Sequence, residues 1–292
     1  MNDFKVSWLD LRENADVRAR SIGVVGSIRA QLKQFEKINV LDLGSGTAAM
    51  FRYLAPKLNS RQTWKLIDMS QDLLQQCAPR FVAWADSQNL TLREDENYWE
   101  FLGKEEHYVV SGERKNLAAG FDDFASWNEV HLVTASALLD LVSFRWIEEL
   151  AQFCGQTHAI FYANLTYDGK VLWLPTHPTD AECLRLFNED QRRDKGFGLA
   201  LGPYSSSVIV RALTSLGFSV NTSPSPWVLG PNDHILQGEM LAQWIKVLEQ
   251  TDQRLPATFQ DWMSFRSRAI REGRSHLMVG HQDICAVPSM LA

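Results

Sequence analysis

Asp42-Leu43-Gly44-Ser45-Gly46-Thr47 sets a carboxylate just ahead of two alternating glycines, a combination with chemical meaning. Glycines allow a backbone turn that residues with a Cβ resist. Where such a turn opens a helix, free backbone N–H groups and the positive end of the helix dipole converge on one ligand position. Gly44 to Ala49 also satisfies G-x-G-x-x-A, the fingerprint of dinucleotide sites. In such a site the turn faces a doubly negative pyrophosphate, which Asp42 would repel. A positively charged nucleoside would instead be attracted. Asp68 lies about twenty residues beyond the glycines, where an acid accepts hydrogen bonds from ribose hydroxyls.

The surrounding pattern supplies the elements that hold these residues. Val40, Leu41 and Leu43 read as a strand buried on both faces, and Met50, Phe51, Leu54 and Leu58 step at helical spacing after the turn. Trp64 to Asp68 is the second strand, followed by a helix over Gln71 to Trp84. Asn89–Arg93 and His107–Ser111 compete for the third strand, and the latter is preferred; the charged residues between them read as a surface excursion. Glu129–Ser136 is a fourth strand with small residues, Thr134, Ala135 and Ser136, at its carboxyl end, where open parallel sheets bind ligands. A helix over Phe144 to Phe153, ended by Cys154-Gly155, leads to a fifth strand over Thr157 to Leu165. Later helices are expected over Ile235–Glu249 and Phe259–Glu272, with strands at Phe218–Thr222 and in the closing His276 segment.

D-L-G-S-G-T resembles motif I of the class I S-adenosylmethionine (SAM)-dependent methyltransferases. SAM lacks phosphate and carries an ammonium and a sulfonium, so an acid beside the turn is favourable. Ala48 departs from that family, which often has a third glycine there. The resemblance implies SAM as cofactor, with Asp42, Gly44, Ser45, Gly46 and Thr47 at the turn, Asp68 on the ribose and Met69 against the adenine. Asn116 and Leu117 resemble the adenine-binding position; the family usually has Asp there, an Asn carbonyl accepts likewise, and Asp86 is a rival. Thr134, Ala135 and Ser136 resemble motif IV of small-molecule methyltransferases, without the signatures of the DNA enzymes. The family commonly places an N-terminal segment over the SAM pocket, which makes Arg20, with Arg12, Arg18 and Ser21, a candidate for the methionine carboxylate.

The order of elements and the resemblance together imply an α/β, doubly wound Rossmann-like seven-stranded sheet with an antiparallel last strand. The expected parts of this single domain are a helical N-terminal cap (1–37), a SAM-binding core (38–168), a lid insertion after the fifth strand (169–204) and a C-terminal part of the sheet with extra helices (205–292). The expected activity is methyl transfer from SAM to a small polar metabolite, at oxygen or nitrogen. Asp168, His177 and Asp140 are the candidate bases, in that order. Asn164, Tyr167, Asn188, Gln191, Arg192 and Lys195 are candidates to orient the substrate. An NAD(P)-dependent oxidoreductase is the alternative that Asp42 disfavours; a non-catalytic SAM- or nucleotide-binding regulatory protein is another.

Composition narrows the partners. With 292 residues, 45% hydrophobic and 22% charged, the chain has ordinary globular values. A formal net charge of −6 argues against nucleic acid, which needs a basic face. No apolar run reaches membrane-spanning length and no signal peptide is evident, so a cytoplasmic monomer or homodimer is expected. Cys77, Cys154, Cys183 and Cys285 form no C-x-x-C pair and read as reduced thiols. His276, His281, Asp283 and Cys285 lack the return pair of a zinc box, so no metal is expected. Arg266, Arg268, Arg271 and Arg274 read as a solvated helix surface, and Trp227 as an exposed or pocket-facing indole in a rigid turn.

Overall fold

The computed structural model describes residues 6–121, 124, 129–250 and 255–289. A continuous sheet organises the chain. Its centre is β1 (Ile38–Leu43), flanked in parallel by β2 (Arg61–Asp68) and by the later strand β6 (Leu132–Ser136). The hairpin β3 (Thr91–Glu94) and β4 (Trp99–Leu102) forms one margin, joined through β5 (His107–Arg114), which lies parallel to β2. On the other side come β7 (Ile160–Leu174), antiparallel β10 (His276–Pro288) and β8 (Phe218–Pro224), while β9 (Trp227–Leu229) also pairs with β10. The order is β3-β4-β5-β2-β1-β6-β7-β10-β8.

His107–Arg114 thus holds the third-strand position, and the closing strand runs antiparallel as expected. The seven-stranded expectation was too small, because the sheet has ten strands among the described residues. The charged excursion concealed part of this difference. Trp99-Glu100-Phe101 alternates across β4, burying Phe101 fully against Phe51, whose ring centroid is 5.3 Å away. Phe51 also packs on Trp64, Phe81 and Trp84 at 5.4, 5.4 and 4.9 Å. Burial of each such side chain contributes about 1.5–3 kcal/mol, with edge-to-face geometry adding to it.

Helices cover both faces. The N-terminal part is α1 (Val6–Ala19) and α2 (Ile22–Leu32); residues 1–5 of the expected cap lie outside the described residues. Helix α3 (Ala49–Leu54) follows the glycine turn. The expected single helix after β2 divides at Gln76 into α4 (Gln71–Gln75) and α5 (Cys77–Gln88). Helix α6 (Phe144–Thr157) runs past the expected stop at Gly155 and ends where His158 turns left-handed. Its amphipathic stripe of Trp146, Ile147, Leu150 and Cys154 meets the sheet with no polar gap at Gly155, so the glycine ends nothing.

The fifth strand also exceeds its expected end. β7 continues from Leu165 to Leu174 because β10 pairs with it as far as Leu174↔His276. On this extension pack α7 (Asp180–Asp190), α9 (His234–Glu249) and α10 (Phe259–Arg271), forming a separate core with Trp173, Trp244 and Trp262. Helix α8 (Ser205–Ser215) joins α6 on the main sheet. Arg266 is buried completely rather than solvated: its guanidinium pairs with Asp180 and donates to the Pro175 carbonyl at 2.5 Å. Trp227 is likewise buried, its indole N–H donating to Asp16 at 3.0 Å. Among the described residues, no helix is long and apolar enough to cross a membrane.

Candidate active site

The carboxyl ends of β1, β2 and β6 open into a cleft of about 1150 Å³, counted out to its mouth. Asp42, Gly44, Ser45, Gly46, Thr47, Asp68 and Met69 line it, together with Leu117, Ser136, Arg20 and Lys195. Gly44 and Gly46 take φ of +66° and +55°, which explains their residue type. Ala48 takes φ of +62° at the same turn, at a cost of about 1 kcal/mol for a residue with a Cβ. Ala48 therefore fills a left-handed position that a glycine would occupy without strain.

Asp68 ties the turn to the end of β2. Its carboxylate accepts from the Gly46 N–H at 2.8 Å and from the Ser70 N–H at 2.9 Å. The Ser45 N–H donates to the Ile67 carbonyl at 3.0 Å, completing the junction. Asp42 is deeper. One oxygen accepts from the Thr134 hydroxyl at 2.7 Å, while Oδ2 is buried with no hydrogen-bond partner among the described residues. Burial pushes this carboxyl up to about 7, opposed by the Thr134 hydrogen bond and the nearby Arg20 guanidinium.

Arg20 directly follows α1, its own N–H donating to the Asp16 carbonyl at 3.2 Å. Only 4% of the residue is exposed, and its Nε and Nη1 have no hydrogen-bond partner among the described residues. The guanidinium stacks 4.3 Å from the Tyr53 ring centroid. A buried cation and a buried acid with unsatisfied atoms on one cleft are expensive alone, and each is suited to an opposite charge from a ligand.

Other sequence candidates are distributed unevenly. Thr134 and Ala135 sit just beneath the cleft, Thr134 acting on Asp42. Asn116 is exposed and caps a short 3-10 turn through the Ala118 N–H, leaving Leu117 to line the cleft. Asp140 lies beside the wall formed by Ser136, Ala137, Leu138 and Leu141, but is not itself part of that wall. Its burial raises the carboxyl to about 6 against the pull of Arg12 and Lys195.

Asp168 stands outside the cleft wall, accepting from the Lys170 N–H at 3.0 Å and pairing with the Lys170 ammonium. His177 is also elsewhere: its ring packs 5.1 Å from Phe265 and its Nε2 faces Asp261 at 3.2 Å. Tyr167 donates to Asn188, whose amide donates to the Gly169 carbonyl, so these two side chains brace the extended β7. Asn164 is fully buried, Gln191 is half-buried and Arg192 lies exposed against Tyr204; none lines the cleft. Asn164 stays beside the cleft through its pairing with Ser136, whereas Asp168, His177 and Asn188 belong to the extended β7 and to the turn and helix that follow it.

The sequence reading omitted Leu9 and Asp16 from the site, along with Lys115, Ala137 and Phe197. The signal for the first two was present: Leu9, Arg12, Asp16 and Arg20 recur at helical spacing and all line the cleft. His281, Asp283 and Cys285 do not gather. Asp283 instead accepts from the Ser21 N–H at 2.8 Å, and no group of metal-binding side chains occurs among the described residues.

No protein-family model and no curated protein sequence matches this chain. Similar solved structures include a SAM-dependent methyltransferase from Geobacter sulfurreducens in complex with S-adenosylhomocysteine (SAH), 13% identical, covering 99% of this chain and 100% of its own with TM-score 0.46. A SAM-dependent methyltransferase from Thiobacillus denitrificans, also with SAH, is 14% identical over 97% of this chain and 98% of its own, with TM-score 0.42. A cyclopropane synthase from Mycobacterium tuberculosis is 11% identical over 98% of this chain and 100% of its own, again with TM-score 0.42. The cleft's own side chains decide what it can bind. By strand order and the antiparallel placement of β10, this is a mixed α/β, Rossmann-like fold.

Proposed function

We propose that this chain is a SAM-dependent methyltransferase acting on a small polar metabolite at oxygen or nitrogen. One observation carries this reading: an unsatisfied buried carboxylate and an unsatisfied buried guanidinium share the cleft with Asp68. An amino-acid zwitterion joined to a nucleoside needs those three groups. In this reading Arg20 holds the carboxylate and Asp42 the ammonium, while Asp68 accepts from the ribose. Met69 and Leu117 provide apolar surface for the adenine. A pyrophosphate would meet Asp42 without a charge to balance it, which disfavours a nicotinamide cofactor.

Bound SAM supplies an electrophilic methyl carbon on a sulfonium. The protein's part is to fix the acceptor close to that carbon and in line, and to exclude water. Leu9, Leu138, Leu141 and Phe197 provide the dry wall for this task. Of the segment over 169–204, the part after α7 contributes Lys195 and Phe197 to the cleft and serves as its cover in this proposal. Asp140 is the candidate proton acceptor that best suits the cleft, being adjacent to the wall and raised by burial to about 6.

Calorimetry with SAH and NADH tests the reading. SAH should bind and NADH should not; NADH binding with no response to SAH would reverse the assignment. The pH dependence adds a residue-level check. Asp42 is raised to about 7 in the free protein, whereas a neighbouring ammonium favours its charged form. Binding then releases a proton below pH 7. SAH affinity is expected to rise by about tenfold per pH unit on approaching pH 7 and to level off above it. A flat profile would separate Asp42 from ligand recognition.

A further inference from the structure

Two guanidiniums address the cleft from one helical stripe. Arg12 and Arg20 are eight residues apart on the α1 path, or about 12 Å along a helix axis. Their surroundings differ accordingly. Arg20 stacks on Tyr53 and influences Asp42, whereas Arg12 stands 5.4 Å over the Trp227 ring and influences Asp140. One carboxylate does not engage both in this arrangement. If Arg20 serves the amino-acid end of SAM, Arg12 serves something else.

Arg12 is prepared for an anion. Its Nε donates to Asp16 Oδ2 at 2.9 Å, and Asp16 Oδ1 accepts from the Trp227 indole at 3.0 Å. Both Asp16 oxygens are thereby occupied, and the guanidinium is fixed at its Nε edge. Its terminal nitrogens have no hydrogen-bond partner among the described residues, although only 12% of the side chain is exposed. Lys195 also lines the cleft, its ammonium anchored to Asp190 Oδ2 at 2.8 Å with its other donors available. Asp16 lines the cleft with them, and Asp190 and Asp140 lie close by, so Arg12 and Lys195 enter as members of ion pairs and offer hydrogen-bond donors more than net charge.

We infer that the methyl acceptor bears a carboxylate, bound between the Arg12 guanidinium fork and the Lys195 ammonium. This rests on the SAM-dependent reading above. A carboxylate matches two parallel N–H donors on one guanidinium, and the mainly apolar remainder of this wall suits an organic acid better than a dianionic phosphate. Asp16 is a positioning residue, since it fixes the Nε edge of Arg12 and is itself held by the Trp227 indole.

The test begins with an SAH titration of the full chain, which checks the cofactor reading separately. The SAH-saturated protein is then heated with a panel of small hydroxy- and amino-carboxylic acids, their methyl esters and matching phosphomonoesters. Carboxylic acids are expected to raise the melting temperature, and their esters are not. Lys195→Met and Arg12→Gln should each weaken binding of an active acid at least tenfold, while leaving the SAH Kd within about threefold. Lys195 lies in a partly exposed loop, so its variant keeps the test decisive if Arg12→Gln unfolds. Esters or phosphomonoesters acting as well as acids, no response to any acid, or unchanged acid affinity in Lys195→Met would overturn the inference. Failure of wild-type protein to bind SAH removes both this inference and the reading beneath it.

Discussion

Arg20→Met is expected to raise the Kd for SAH by about 30- to 1,000-fold, equivalent to about 2–4 kcal/mol. The size follows from the environment of the guanidinium. It is almost wholly buried and two of its nitrogens have no partner among the described residues, so a ligand carboxylate receives charge-assisted hydrogen bonds with little competition from bulk water. Methionine retains much of the side-chain bulk against Tyr53 and removes the charge. It also removes a desolvated cation from the free protein, so the unliganded melting temperature is expected to hold or rise. Calorimetry and thermal unfolding on the same preparation separate these effects. A folded variant with wild-type SAH affinity would place the ligand carboxylate elsewhere.

The largest stability effect is expected at Asp180, outside the cleft. Its carboxylate accepts from the fully buried Arg266, from the Trp262 indole at 2.8 Å and from the His177 N–H at 2.7 Å. These contacts pin α7 to α10 over the extension of β7. Asp180→Ala leaves Arg266 buried without its counter-charge, and the expected destabilisation is about 3–5 kcal/mol. Urea unfolding should show a lower midpoint, with part of the loss recovered in Asp180→Ala/Arg266→Met. An unchanged midpoint in the single variant would mean that this pair does not hold the helical layer in place.

The legible parts of this chain are those with local causes. The turn at Gly44 announced itself through backbone chemistry, and the strands around it through short apolar runs, so β1, β2 and β6 fall where the sequence puts them. The third strand was legible as well from His107–Ser111, although the strand runs on to Arg114. Long-range pairing was not. Nothing local in Thr166 to Leu174 requires a strand; β10, a hundred residues later, supplies its partner. Arg266 misled for the same reason, because a helix-borne arginine reads as solvated until Asp180 is brought against it from another helix. In the cleft, Asp42 and Asp68 were accessible to spacing arguments and Arg20 through the resemblance alone, whereas Lys115 and Phe197 reach it through tertiary folding. His177 had suitable chemistry but follows α7 away from the cleft.

A crystal structure of the SAH complex tests the central claim most directly. The expected result places the amino-acid carboxylate on Arg20, the ammonium beside the free oxygen of Asp42 and the ribose hydroxyls on Asp68. SAH lying outside this cleft, or bound in it with its amino-acid end remote from both Asp42 and Arg20, would contradict that claim.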